Sequence, residues 1–351
     1  MELVAEIGTG HNGNISVACR ILDAVADAGF ECAKFQWVIA EEIIHPKAGL
    51  VPLPGGPTHL YNRFLSLERP PEFYHQLKTE TEARGMSFLC TPFGLTSLEN
   101  LVAMGVARIK IASPELSHVP LLAAVSDAGV PVIASTGVNT LADIDEANRY
   151  LAGIDVRFLH CVTAYPAPET DYSLRSLETR SRATGRCWGV SDHSLDPLAV
   201  PLVAWSQGAV MLEKHVTLSR EGDGLDDPVA LEPAQFRHMI GEIRSLSTET
   251  DRHQAVTERL GSQRVEAILG SSVIRLADSE HENYGRTNRS IHATKDLIPG
   301  DVLGGDTMAV LRTEKVLTPG IHPRMFKTLI GKKITRAVES GAGITWDDIL
   351  S

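Results

Sequence analysis

No apolar run in this 351-residue chain approaches the roughly 20 residues that a membrane-crossing helix needs. The start, MELVAEIG, has neither the basic residues nor the long apolar stretch of a secretion signal, so a cytoplasmic location and no membrane partner are expected. Basic residues are scarce as well. Lys and Arg number 33 against 44 Asp and Glu, the net charge is −11, and no basic tract offsets it, which argues against nucleic-acid binding. Local lysines can still hold an anionic substrate. Cysteine is limited to five residues (Cys19, Cys32, Cys90, Cys161, Cys187), mostly inside apolar runs, which excludes a disulfide framework and a CxxC metal site. The first run also lacks an HxH pair, with only His11 in the loop after it, which disfavours a metal-dependent barrel hydrolase.

What the chain does have is repetition. The apolar runs Glu2–Ile7, Cys32–Trp37, Ser87–Phe93, Arg108–Ser113, Pro131–Ser135, Val156–Thr163, Cys187–His193 and Val210–Thr217 alternate with helical patterns such as Val17–Ala28 and Glu72–Arg84. This alternation predicts a (β/α)8 barrel. Near the run ends stand Glu6, Lys34 with Gln36, Thr91, Lys110 with Ser113, Ser135, Tyr165, Ser191 with His193, and Lys214 with His215. In such a barrel the C-terminal tips of the strands form the active-site face. The proline-rich segment His45–Pro71 is expected to be a substrate-facing excursion on that face. The barrel is expected over 1–262 and a connector over 263–287, in a charged, helix-prone stretch (248–288) that reads as partly helical. Residues 288–351, short β-rich runs with PGD and GGD turns, read as a small second domain packed on its own barrel or on a partner's.

Lys34, Lys110 and Lys214 are expected at one barrel mouth. With Ser113, Ser135 and Ser191 they describe a phosphate or carboxylate site. The alternative is that each is paired with an acid such as Glu6, Glu115 or Glu213. His193 and His215 end successive strands, one strand spacing of ~5 Å apart, where with Asp192, Asp226 or Asp227 they suit a divalent metal; a purely structural role is the alternative. Glu6 suits a general base, or a partner that fixes Lys34 or Lys110. Asn12 is a candidate polar contact.

The stretches AEIGTGHNG (5–13), KFQ (34–36), TPF (91–93), KIASPE (110–115), ASTG (134–137), HCVTAYPAP (160–168), GVSDHS (189–194) and EKHVTL (213–218) occur in order, followed by NRSIHATKDLIPGD (288–301) and PGIHP (319–323). Together they resemble the sialic (nonulosonic) acid synthase family, with its C-terminal antifreeze-like (SAF) domain. The resemblance implies condensation of phosphoenolpyruvate (PEP) with an N-acylated amino sugar, releasing phosphate. It implies a divalent metal on His193 and His215, Mn2+ first, with Mg2+ or Co2+ possible. It matches Lys34, Lys110, Ser113, Ser135 and Ser191 to residues that hold PEP. Glu6, Gln36, Thr91, Glu115, Tyr165 and Asp226 match other positions lining the site, and Thr163 falls at another. It further implies a domain-swapped homodimer whose C-terminal domain offers an arginine, placed at Arg312, to the partner's sugar. Gly10, Pro114, Thr163, Asp227 and Ala230 depart from the residues usual in the family, and most are expected where the acceptor sugar lies. A barrel that binds carbohydrate or PEP without catalysis is the alternative reading.

Overall fold

The computed structural model describes residues 1–53 and 56–350. The strands are β1 (Glu2–Gly8), β2 (Cys32–Trp37), β3 (Leu50–Leu53), β4 (Gly56–His59), β5 (Ser87–Pro92), β6 (Ile109–Ile111), β7 (Val132–Ser135), β8 (Val156–Cys161), β9 (Cys187–Asp192), β10 (Met211–His215), β11 (Arg289–Ala293) and β12 (Met308–Arg312). Eight of them close a parallel barrel in the order β1-β10-β9-β8-β7-β6-β5-β2. Each expected run therefore contains one barrel strand.

Alternation along the strands builds the interior in layers, because side chains two apart share a face and stand about 6.6 Å apart along the strand. Glu2 ties Arg108 (2.6 Å) and Arg157 (3.3 Å) at the N-terminal end. The next inward residues, Val4, Cys32, Leu89, Ile133, Leu159 and Met211, form a small apolar plug. One strand period above them stand Glu6, Lys34, Thr91, Ser135, Cys161 and Glu213. The intervening residues (Ala5, Ala33, Cys90, Ala134, Leu212) face outward into the core shared with the helices. The helix Ile15–Ala28 shows how that layer is made. Asn14 caps its first amides, Ala18, Ile21, Leu22 and Val25 bury one stripe, and Gly29 ends it at φ 96°, a left-handed conformation that glycine adopts freely.

At the start of the 263–287 connector, the helix Ser262–Leu269 buries Val265, Ile268 and Leu269 in the barrel core. Glu280 is also buried, and its Oε1 accepts from the Val138 and Thr163 amides at 2.7 Å each. Residues 45–71 include the hairpin β3–β4 and the helix Leu60–Leu67, whose Leu60, Phe64 and Leu67 pack with Val38, Ile43, Ile44 and Phe93. The packing partners come from other loops.

The C-terminal domain pairs β11 with β12 antiparallel and has its own core around Ile291, Leu297, Leu303, Met308, Ile334 and Ile344. Arg289 anchors it to the barrel. The fully buried guanidinium donates to the Phe93 carbonyl (2.9 Å), the Glu42 and Ile43 carbonyls, and Glu115 Oε1 (2.8 Å).

His292 in β11 is 0 % exposed; Gly341 O lies 2.9 Å from its Nδ1 and Ser290 Oγ 2.8 Å from its Nε2. Burial pulls its pKa down to about 4. Below about pH 6.5 the unfolded chain takes up a proton that the folded domain refuses, so this stability is complete above 6.5 and declines toward pH 4. The full loss is about 3 kcal/mol. Denaturant unfolding at pH 7 and pH 5 should show stability falling with acid, and the fall should be smaller in His292→Gln.

Candidate active site

A cavity of about 550 Å3 opens at the C-terminal mouth of the barrel. Its floor is a buried charge cluster. Glu213 Oε1 lies 2.7 Å from Lys34 Nζ, 3.2 Å from Lys110 Nζ and 3.0 Å from Ser191 Oγ. Lys110 also donates to Ser135 Oγ at 2.8 Å. Glu6 lies 3.1 Å from Lys34 and accepts from Gln36 Nε2 at 2.8 Å. Two lysines thus face two carboxylates, as the acid-paired alternative holds. The arrangement is not saturated, because Thr91 Oγ1, Thr163 Oγ1 and Glu213 Oε2 are buried without a hydrogen-bond partner.

The four charged groups are not equivalent. Burial opposes ionisation of Glu213, yet Lys110 and Lys34 hold its pKa far below the usual carboxylate value. Burial and the Glu213 charge push Glu6 upward against Lys34. Burial would lower Lys34, but Glu213 and Glu6 outweigh it and keep the ammonium charged. Burial lowers Lys110 to about 8, helped by Lys34 and opposed by Glu213. Glu213 is a fixed anion, Glu6 the carboxyl able to exchange a proton, and Lys110 the cation least well compensated.

Above this floor the His193 and His215 rings lie 5.3 Å apart between centroids, with Tyr165 stacked on His193 at 4.3 Å. Burial keeps both imidazoles neutral near neutral pH. His193 Nδ1 lies 2.8 Å from the Val162 carbonyl, so Nδ1 donates and Nε2 is left with a lone pair. Asp226 Oδ2 is 3.8 Å from His215 Nδ1. Two neutral imidazoles, one oriented through a carbonyl, fit a divalent cation that keeps open positions. A group of three His, Cys, Asp or Glu side chains positioned to hold a metal is absent among the described residues.

Most expected site residues meet here: Glu6, Lys34, Gln36, Thr91, Lys110, Ser113, Ser135, Thr163, Tyr165, Ser191, His193, His215, Asp226 and Arg312 all line the cavity. Asn12 does not; its Oδ1 accepts from Arg63 at 2.6 Å and joins two loops. Glu115 does not either. It is fully buried and accepts from both Arg289 and Arg312 at 2.8 Å, aiming the latter over the cavity. Arg312 overlies the mouth of its own chain's barrel and lines the cavity.

Lys214 is a correction. It follows Glu213 and precedes His215, and strand alternation sends it to the outer face, where its Nζ meets Asp192 Oδ2 at 2.5 Å. Of the positions that depart from the family pattern, Pro114 and Thr163 line the cavity, but Gly10, Asp227 and Ala230 do not. Asp227 instead accepts from the Gly224 amide at 2.7 Å, and a side chain at Gly10 would approach it. Sequence reasoning missed Glu213 as a site residue, although it stands two positions before His215 on the same strand face. It also missed Asn283, Glu314 and Lys315 on the rim, for which no local signal exists.

Lys110→Met should therefore abolish anion binding in the mouth. Lys214→Met should leave that binding intact but cost about 3–5 kcal/mol of stability, by stranding buried Asp192. Calorimetric PEP titration and denaturant unfolding of both variants check this contrast.

The profile of the NeuB family matches residues 21–255, and that of the SAF domain matches 288–350. The spore coat polysaccharide biosynthesis protein SpsE of Bacillus subtilis is 32 % identical over 354 residues, spanning 99 % of this chain and 93 % of that protein. Its crystal structure superposes with a TM-score of 0.83 at 30 % identity, covering 100 % of this chain and 95 % of that one. The N,N'-diacetyllegionaminic acid synthase of Legionella pneumophila is 26 % identical over 359 residues, spanning 99 % and 94 %. The N-acetylneuraminic acid synthetase of Leptospira borgpetersenii, solved with citrate, superposes at TM-score 0.63 with 28 % identity, covering 80 % and 89 %. The chain belongs to the NeuB family and carries a C-terminal SAF domain.

Proposed function

We propose that this enzyme joins PEP to the aldehyde of an N-acylated amino sugar, forming a nonulosonic acid and releasing phosphate. The observation that carries the reading is the floor of the cavity, where Lys34 and Lys110 converge among Ser135, Ser191 and unpartnered Thr91 beneath two neutral imidazoles. Those groups suit a small, multiply charged anion held directly under an electrophile.

PEP would enter with its phosphate and carboxylate toward Lys34, Lys110 and the serine hydroxyls, competing with Glu213 for the lysines. His193 and His215 would hold a divalent cation, Mn2+ by preference, which when bound acts as a Lewis acid toward the aldehyde. The PEP methylene carbon then bonds to the aldehyde carbon, and positive charge develops at the neighbouring PEP carbon. The negative floor carboxylates Glu6 and Glu213 face that charge. Glu6 takes a proton of the water that adds there, the oxygen left by the aldehyde takes up a proton, and the new hydroxyl collapses to the ketone as C–O cleavage expels phosphate beside the lysines. Arg312, held by Glu115, points at the acceptor from the C-terminal domain. The apolar wall of Val51, Leu60, Phe64 and Leu225 suits the acyl methyl of the sugar. Burial of both small substrates in one mouth accounts for much of the rate gain.

Phosphate release from PEP across a panel of N-acylated hexosamines and their phosphates should require Mn2+, one particular sugar and His215. Release without sugar, or unchanged release in His215→Ala, would refute the reading. Lys110 loses its charge as pH rises through about 8, so kcat/KM for PEP should fall above that pH in the free enzyme. Glu115→Gln should raise the acceptor KM about tenfold with little change in the PEP KM. Steady-state kinetics with each substrate varied separately checks both.

A further inference from the structure

A second cavity of about 40 Å3 lies on the outer wall of β8, away from the barrel mouth. It is bounded by His160, residues 170–173, Arg180 and the 273–278 segment that leads toward the C-terminal domain. A single water needs about 10–15 Å3, so this is room for a compact ion.

Its chemistry is unbalanced. Arg180 is 4 % exposed, its Nε donates to Ser176 Oγ at 3.1 Å, and its guanidinium sits 5.4 Å from the Trp188 ring centre. The acid that acts on it is Glu280, which already accepts from the amides of Val138, Thr163 and Ala277. A buried guanidinium without a contact anion is costly unless a ligand supplies the charge. His160 adds a second unmet group. Its Nε2 lies 2.5 Å from the Tyr172 carbonyl, which makes that nitrogen the donor, and its buried Nδ1 is an acceptor with no partner. Ser173 lines the same space at φ 45°, a conformation unusual for a residue with a side chain. Of the two acids on the rim, Asp171 accepts from the Ser279 amide and the Asp278 side chain is 87 % exposed.

We propose that this cavity binds an oxyanion the size of inorganic phosphate. Arg180 and exposed Arg275 supply the charge, and the Thr170 and Ser173 hydroxyls donate. The occupant would bridge β8, the helix Ser176–Thr184 and the 273–278 segment. That segment continues to Glu280 and Asn283, which hold the Thr163 amide (2.7 Å) and carbonyl (3.1 Å) beside the barrel mouth. The site is separate from the proposed chemistry and does not depend on it.

The test is calorimetric titration of inorganic phosphate into the full chain at saturating PEP. One residual site is expected, weakened about tenfold or more in Arg180→Gln. Complete displacement of phosphate by PEP or undiminished binding in Arg180→Gln would overturn the assignment. Should Arg180→Gln fail to fold, Arg275→Ala at its exposed position decides: weakened binding supports the site and unchanged binding overturns it.

Discussion

The structure depends on balancing two lysines and two carboxylates inside a barrel where water is scarce. Lys34 and Lys110 share one oxygen of Glu213, and Glu6 answers Lys34 from the neighbouring strand. An unpaired buried charge is too costly to retain. The acids therefore let the barrel close without ligand while keeping the lysines ready for an anion. The apolar plug of Val4, Cys32, Leu89, Ile133, Leu159 and Met211 directly beneath seals the cluster from the opposite end and keeps its local dielectric low.

A second balance joins the two domains. Glu115 receives Arg289 and Arg312 from the same C-terminal β-hairpin. Arg289 spends its remaining donors on barrel carbonyls and fastens the domain. Arg312 keeps an orientation toward the cavity, stacked 5.3 Å from Phe93. One buried carboxylate thus both attaches the domain and aims its functional side chain, and for that reason it is withdrawn from the cavity itself.

Lys214 and His215 show where reading along the chain succeeds and fails. The run Val210–Thr217 marks a strand, and its polar end marks the active-site face. Adjacent residues on a strand face opposite ways, so the same pattern that puts Glu213 and His215 inside must put Lys214 outside, against Asp192. That distinction was available in the sequence. The roles of Asn12 and Glu115 were not, because each is decided by an arginine far away, Arg63 for one and Arg289 with Arg312 for the other. Likewise, helix-prone text around 262–269 was legible, but its burial against the barrel depends on neighbours distant in the chain.

By itself the sequence determined the barrel, its eight strands, the polar tips at one end and the small β-rich domain that follows, because strand and helix periodicity are local properties of side-chain direction. Only the tertiary structure decided which acid neutralises which lysine, which arginine overlies the mouth, and which departures from the family pattern touch the cavity. Most of those outcomes turn on distances between residues separated by a hundred positions or more, as Lys34 and Glu213 are, and no local pattern encodes such a distance.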